Sequence, residues 1–281
     1  MPELPEVETL RRGLHHYLVG LTIVDVDIQL AKIFTGDKDA LIGAKIIDVR
    51  RYGKGLVIEF NNGYSLAIHI KLTGQLIYTG PNEPEGTRIS QDKVGTLPNK
   101  FTHVIFHLNH HAQLFYNDIR QFGWIKVVRT NQIKSLPFFK ELGPEPFTGL
   151  TFEKFQRIIS ASKTAIKPLL MDQKKIGGIG NIYANDALYL AQILPDRPAN
   201  TLKQGEQKKL FDAIEAVLKK GLQYGGASEL TFVNALGQEG KYQEHFLVYG
   251  QQGKLCQRCG TTIKKFVLGG RGTYFCPGCQ K

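Results

Sequence analysis

Cysteine is nearly missing from this chain: there are four in 281 residues, all of them after position 255. Residues 1–255 therefore have nothing to pair, which excludes a fold stapled together by disulfides. Long apolar runs are missing too. No stretch approaches the ~20 residues a membrane-spanning helix needs. The N-terminus has no basic region followed by an apolar one, so no secretory leader is expected. An intracellular, cytoplasmic setting is the expectation. There is neither an internal repeat nor a low-complexity tract. Acid is missing from one place in particular: Lys254 to Lys281 holds six Lys or Arg and no Asp or Glu.

What is present fits a globular protein of two domains, with 42% apolar and 22% charged residues. The net charge of +11 is unevenly spread. Residues 1–150 carry 17 Lys or Arg against 15 Asp or Glu, whereas residues 151–281 carry 19 against 10. The second half is thus the part suited to a polyanion, and a grip on nucleic-acid phosphates is expected there.

The chain begins Met1-Pro2-Glu3-Leu4-Pro5-Glu6. Methionine ahead of proline is normally trimmed, which would leave Pro2 with a free secondary amine. An α-amine titrates near neutrality, roughly two units below a lysine. Such an amine can attack a sugar C1′ and collapse to an iminium, the Schiff-base form of covalent catalysis. Glu3 and Glu6 supply carboxylates within a helical turn for proton transfer. The same letters are also ordinary helix-start signals, with Leu4, Val7, Leu10, Leu14 and Leu18 at helical spacing.

Strands follow. Val24, Val26, Ile28 and Leu30 alternate with polar residues over Thr22–Leu30, the period-two mark of a half-buried strand. Further strands are expected at Ala44–Val49, Gly55–Phe60, Tyr64–Ile70, Gln75–Tyr78, His103–Leu108, Gln113–Tyr116 and Gly123–Val128. Asn61-Asn62-Gly63 is a hairpin turn. Short strands at this spacing point to an antiparallel sandwich or barrel. Pro81–Pro98, polar and broken by Gly and Pro, reads as a long exposed loop. Prolines and glycines over 131–150 mark a linker, after which the period turns helical at Phe152–Ala161, Ala165–Asp172, Asn181–Gln192 and Glu206–Gly221.

The most specific motif is Cys256-x2-Cys259 with Cys276-x2-Cys279. Two such knuckles close a tetrahedral site of four thiolates, the pattern of one structural Zn2+ ion with no open position for catalysis. Between them, Thr261–Phe275 reads as a β-hairpin with Gly269-Gly270-Arg271-Gly272 at its tip, where a guanidinium can fork onto phosphate. A glycine-rich turn, Gly177-Gly178-Ile179-Gly180, opens a helix at Asn181 and follows Lys163, Lys167, Lys174 and Lys175, which together form a candidate phosphate clamp.

The opening Met-Pro-Glu-Leu-Pro-Glu-Val-Glu, Asp118-Ile119-Arg120-Gln121-Phe122-Gly123, Leu142-Gly143-Pro144-Glu145-Pro146, Gly180-Asn181-Ile182-Tyr183 and the four-cysteine tail stand in an order that resembles the bacterial formamidopyrimidine-DNA glycosylases over essentially the whole chain. The resemblance implies an α+β fold. An antiparallel β-sandwich led by a helix would occupy 1–130, a helix–two-turns–helix domain 151–245 and a zinc finger 246–281. It also implies excision of oxidised purines from duplex DNA, followed by cleavage at the abasic site, and a monomer. Pro2 then matches the nucleophile, Glu3 its acid/base partner, and Lys54 a lysine contacting phosphate and assisting proton transfer. Asn181 and Arg271 match the pair holding phosphate at the lesion, the arginine also serving the last elimination. Leu72, Arg120 and Phe122 match the side chains that fill the gap left by an everted nucleotide. His103 matches a DNA contact, and the loop between Phe232 and Tyr242 the one that closes over the everted base.

Several positions depart from the family pattern. Leu72 replaces a common methionine, and Phe101 takes the place of a histidine two residues before His103. Gly55 stands after Lys54 where an aromatic is common, an expected loosening of that lysine. Asp186 replaces a glutamate, an expected weakening of a tether to the first helix. Two other readings stay open: an endonuclease VIII-like enzyme acting on oxidised pyrimidines, and a non-catalytic zinc-ribbon DNA-binding protein.

Overall fold

The computed structural model describes all 281 residues, which divide into two compact units. The first comprises residues 1–140 and 224–243. Its strands β1 (Ile23–Ile28), β2 (Phe34–Thr35), β3 (Ile46–Tyr52), β4 (Gly55–Phe60), β5 (Tyr64–His69), β6 (Gly74–Thr79), β7 (Thr102–Leu108), β8 (Gln113–Asp118) and β9 (Trp124–Arg129) form two sheets. One sheet is ordered β1-β7-β8-β6 and the other β2-β9-β5-β4-β3, antiparallel throughout except for the β2–β9 pair. Period-two alternation puts Val26, Phe106, Leu114 and Tyr116 of one sheet, and Leu56, Ile58, Leu66 and Ile125 of the other, into a single buried core. The helix α1 (Leu4–Leu18) lays its apolar stripe of Val7, Leu10, Leu14 and Leu18 into the same core, against β3, β4 and β6. At Gly13 a Cβ would stand 2.7 Å from the Ala235 Cβ, so the small residue lets the 224–243 segment press against the helix.

Two details differ from the sequence reading and a third adds to it. A bulge between Ile23 and Asp25 shifts the register of β1, so Ile23 and Val26 point inward while Val24 lies 55% exposed. The two-residue β2 is too short to leave a periodic signal. Residues 81–98 are the largely exposed loop expected, without helix or strand, but one side of it is anchored: Val94 is buried with Ile77 and Val233, and Ile89 and Leu97 pack on that cluster.

The second unit holds residues 141–223 and 244–281. A short helix, α2 (Pro137–Lys140), ends the first unit. The second contains α3 (Phe152–Ser160), α4 (Ile166–Met171), α5 (Asn181–Ala191), α6 (Gln204–Gln223) and the hairpin β10 (Lys264–Leu268)–β11 (Arg271–Phe275). Thr151 caps α3 by accepting the Lys154 N–H. The central α5 is apolar nearly all round because it packs on α4, α6 and β11 at once. Residues 224–243, expected within the helical domain, instead belong to the first unit, where Phe232, Ala235 and Leu236 join the sandwich core. Their apolar side chains find a ready-made sheet to cover.

Candidate active site and zinc centre

The N-terminal strand-like entry delivers Pro2 and Glu3 into a buried position. Glu6 fixes this geometry. Its Oε2 accepts the Glu3 N–H at 2.7 Å and its Oε1 accepts the Ala227 N–H at 2.8 Å, so a carboxylate only 2% exposed joins the helix start to the returning segment. The approach is tight: Gly226, at φ +82°, would place a Cβ 2.9 Å from Glu6 Cγ. The amino terminus, borne here by Met1, is held below the ordinary α-amino value by burial. Glu3 and Glu6 oppose the shift, and the buried Lys54 adds to it.

Lys54 is set by the turn before it. Arg51 reaches Glu8 of α1 at 3.2 Å and donates to the Gly53 carbonyl at 2.8 Å, while Gly53 takes φ +57°. Burial works to raise the Glu8 carboxyl, and bonds from Arg11 and Arg12 outweigh it, leaving the group below the usual carboxylate range. The expected loosening at Gly55 is not found, because Phe138 and Phe139 bring the missing aromatic surface from α2. A Cβ at Gly55 would lie 2.7 Å from the Phe138 ring. His69, which the sequence reading passed over, packs edge-on against that ring, and burial, with Lys71 and Lys54, pushes its pKa down to about 3. Its Nδ1 accepts the Lys71 N–H at 2.9 Å, so Nε2 carries the proton of a neutral ring. Only the spatial neighbourhood of Lys54 reveals it.

Arg120 and Phe122 stand on one loop held by Asp118, and Leu72 directly precedes Thr73, which meets the same carboxylate. This fully buried carboxylate accepts the Thr73 hydroxyl, the Arg120 N–H at 3.2 Å and the Gly123 N–H at 2.8 Å, and the Thr73 oxygen also accepts the Arg120 N–H at 3.0 Å. The loop it holds presents Phe122 58% exposed with the Arg120 guanidinium 4.7 Å from the ring centroid. His103 is a correction. It is buried in β7, and its Nε2 donates to the Asp118 carbonyl at 2.8 Å, supporting the loop from within instead of reaching outward.

In the second unit Lys167 is the other correction. It is 1% exposed, and its ammonium donates to the Gly272 carbonyl and the Thr273 hydroxyl, at 3.1 and 2.9 Å. It holds the hairpin from beneath. Asn181 Nδ2 donates to the same Gly272 carbonyl at 3.1 Å, and Asn185 accepts the Tyr274 N–H, so the base of β11 is docked on α5 and Arg271 stands exposed beside Asn181. Gln173 organises the glycine turn by accepting the Gly178 N–H and donating to the Ile179 carbonyl. Lys163 is exposed, while Lys174 is paired with Glu141 at 3.0 Å. Asp186 accepts three N–H groups, from Leu247, Val248 and Tyr249, at 3.0–3.1 Å, so its short side chain braces the approach to the zinc finger.

The four thiols of Cys256, Cys259, Cys276 and Cys279 have their sulfurs all within 4.8 Å of one another. Four sulfurs bound at about 2.3 Å to a tetrahedral zinc stand about 3.8 Å apart, and the Cys256–Cys279 and Cys259–Cys276 separations are 3.8 and 3.4 Å. The donor set therefore fits one structural zinc ion. Tyr189 places its hydroxyl 3.2 Å from Cys256 Sγ, and the Arg258 N–H donates to the same sulfur.

A helix-led sandwich with a buried amino terminus, joined to a helical unit bearing a four-thiolate hairpin, is a defined class of architecture. Residues 1–125 match the formamidopyrimidine-DNA glycosylase N-terminal domain, 142–233 its H2TH domain, and 253–281 the zinc finger found in FPG and IleRS. A formamidopyrimidine-DNA glycosylase of Pelotomaculum thermopropionicum is 42% identical, covering 100% of this chain and 99% of its own. A variant of the Lactococcus lactis protein, solved with Fapy-dG-containing DNA, superposes with a TM-score of 0.88 at 34% identity over 100% of both chains. The Lactococcus lactis protein with abasic-site DNA does so with a TM-score of 0.87 at 34% identity over 99% of each. The chain belongs to the formamidopyrimidine-DNA glycosylase family.

Two outcomes follow from this geometry. The protein should carry one zinc per chain by elemental analysis, and Cys276→Ser should lose it together with the ordered Arg271 hairpin. His69 is neutral when folded but takes a proton near pH 6.5 when unfolded, so the unfolded state binds more protons between pH 6.5 and 3. Stability of the first unit should therefore be complete above about pH 6.5 and fall as the pH drops below it. His69→Gln should flatten that slope in denaturant titrations.

Proposed function

We propose that this protein is a bifunctional DNA glycosylase and AP lyase of base excision repair, which removes oxidised purines (8-oxoguanine and formamidopyrimidines) from duplex DNA and then cuts the strand. The observation that carries the reading is the start of the chain, where Pro2 and Glu3 are buried with Glu6 and Lys54, and where burial lowers the basicity of an amino group against the opposing pull of Glu3 and Glu6. Lowered basicity enlarges the neutral fraction at pH 7, and only the neutral nitrogen has a lone pair with which to attack.

With Met1 trimmed, the amine is that of Pro2. Its nitrogen bonds to C1′ as the bond from C1′ to the base breaks and the base leaves with a proton. The sugar ring then opens, Glu3 delivering a proton to the ring oxygen, and the nitrogen lone pair completes an iminium. The iminium acidifies C2′–H, so loss of that proton expels the 3′ phosphate, and a further proton loss expels the 5′ phosphate. A one-nucleotide gap remains. Lys54 meets a phosphate and assists proton transfer. Asn181, Arg271 and the exposed Lys163 grip the backbone, Arg271 also serving the second elimination. Everting the nucleotide costs a few kcal/mol of unstacking, which Leu72, Phe122 and Arg120 offset in part by filling the vacated space.

Borohydride reduces the iminium to a stable amine, so the trimmed protein mixed with a duplex carrying 8-oxoguanine opposite cytosine should yield a covalent protein–DNA band. Retaining Met1 turns the Pro2 nitrogen into an amide and should abolish the band. An equally strong band with Met1 retained contradicts the nucleophile assignment.

A further inference from the structure

We propose that residues 81–98 form a strap that holds the loop following Ala227 in a preset shape, and that this strap sets how strongly the enzyme favours a base-bearing lesion over an abasic site. The inference rests on the proposed function and on the expectation from the family resemblance that the loop between Phe232 and Tyr242 closes over the everted base.

The strap and the loop are joined at several independent points. Strand β6 is the edge of its sheet, and edges left bare invite pairing. Here the edge is covered, since the Tyr78 N–H donates to the Ala235 carbonyl at 2.8 Å. Gln75, on the same strand and buried, uses one amide nitrogen twice, donating to the Thr231 carbonyl at 2.6 Å and the Lys93 carbonyl at 3.0 Å. That single group bridges loop and strap. Farther along, the Ser90 N–H donates to the Gly237 carbonyl at 2.9 Å and the Ser90 hydroxyl to Glu239 at 2.7 Å. Beneath these bonds lie Ile77, Val94 and Val233, fully or nearly fully buried, with Ile89 and Leu97 packed on them. A Cβ at Gly237 would stand 3.0 Å from Ile89 Cγ2, so strap and loop meet in van der Waals contact. The loop is itself folded, with Asn234 Oδ1 accepting the N–H groups of Leu236 and Gln238.

Glu229 and Leu230, which lead into the loop, stand clear, the latter 50% exposed, while the exposed Glu239 is tied to Ser90. Ordering a free loop costs backbone entropy for each residue fixed. A loop already fixed by the strap spares base capture most of that cost, which is the general gain from preorganisation. An abasic sugar offers no base to cover, so its cleavage does not draw on the loop.

The test uses the full-length, Met1-trimmed protein with zinc bound. Gln75→Leu keeps the side-chain volume and removes both amide bonds, while Ile89→Ser weakens the apolar contact from the exposed side. Single-turnover rates are measured on an 8-oxoguanine duplex and on an abasic duplex, with amide hydrogen exchange over residues 231–239 in the DNA-free protein. The expected result is lost protection in both variants, a tenfold or greater fall in 8-oxoguanine excision, and abasic cleavage within twofold of the parent. Unchanged protection overturns the strap, whatever the protein's activity. Lost protection with equal effects on both substrates overturns its role in discrimination. A parent protein that cleaves neither duplex contradicts the functional reading instead, and the exchange data then still decide whether the strap holds the loop.

Discussion

Everything in the first unit that bears on chemistry hangs on one buried carboxylate. Glu6 accepts two backbone N–H groups, one from Glu3 and one from Ala227, a residue 221 positions away. Bonds of this charge-assisted kind contribute about 1.5–3 kcal/mol each, and an unpaired carboxylate at that depth would cost more than either supplies. The arrangement is therefore close to all-or-none: the helix start, the buried amino terminus and the returning segment form together. Gly226 is part of the same constraint, since its missing side chain is the space the Glu6 stem occupies.

From that junction two supports spread outward. Along α1, Glu8 ties the helix to Arg51 and thus to the turn that presents Lys54. Across the sandwich, Asp118 gathers Thr73, Arg120 and Gly123, so that the exposed pair of Arg120 and Phe122 stands on a rigid base. The second unit repeats the device with a cation, as buried Lys167 and Asn181 meet at the Gly272 carbonyl and leave Arg271 exposed. At Asp118 and Lys167 a buried polar group is met by backbone groups and a threonine hydroxyl, and a neighbouring side chain is thereby held where a ligand can reach it.

How much of this could be read from the letters depends on the range of the interaction. The α1 stripe, the alternating strands, the cysteine pairs and the glycine turn before Asn181 all declare themselves within a few residues, because one period or one knuckle fixes the local geometry. Lys167 and His103 carry the same letters whether they face phosphate or a buried carbonyl. Only the packing of α4 on β11's neighbours, and of β7 on β8, decides which. The bulge that turns Val24 outward has no composition signal. Gly55 read as a loosened position because the rings that cover it lie more than eighty residues further on. The passage of 224–243 back to the sandwich, and the anchoring of 81–98 against it, are likewise long-range facts, since each segment is polar enough to pass for an unattached surface loop until its partner is in place.

The central claim is that the buried amino terminus is the reacting nucleophile. Mapping the borohydride-trapped adduct by peptide mass spectrometry tests it most directly, because a lysine could also form a Schiff base. The account predicts that the sugar remnant is found on the N-terminal peptide, attached to the Pro2 nitrogen. A remnant on Lys54, or on any other lysine, with the N-terminal peptide unmodified would contradict it.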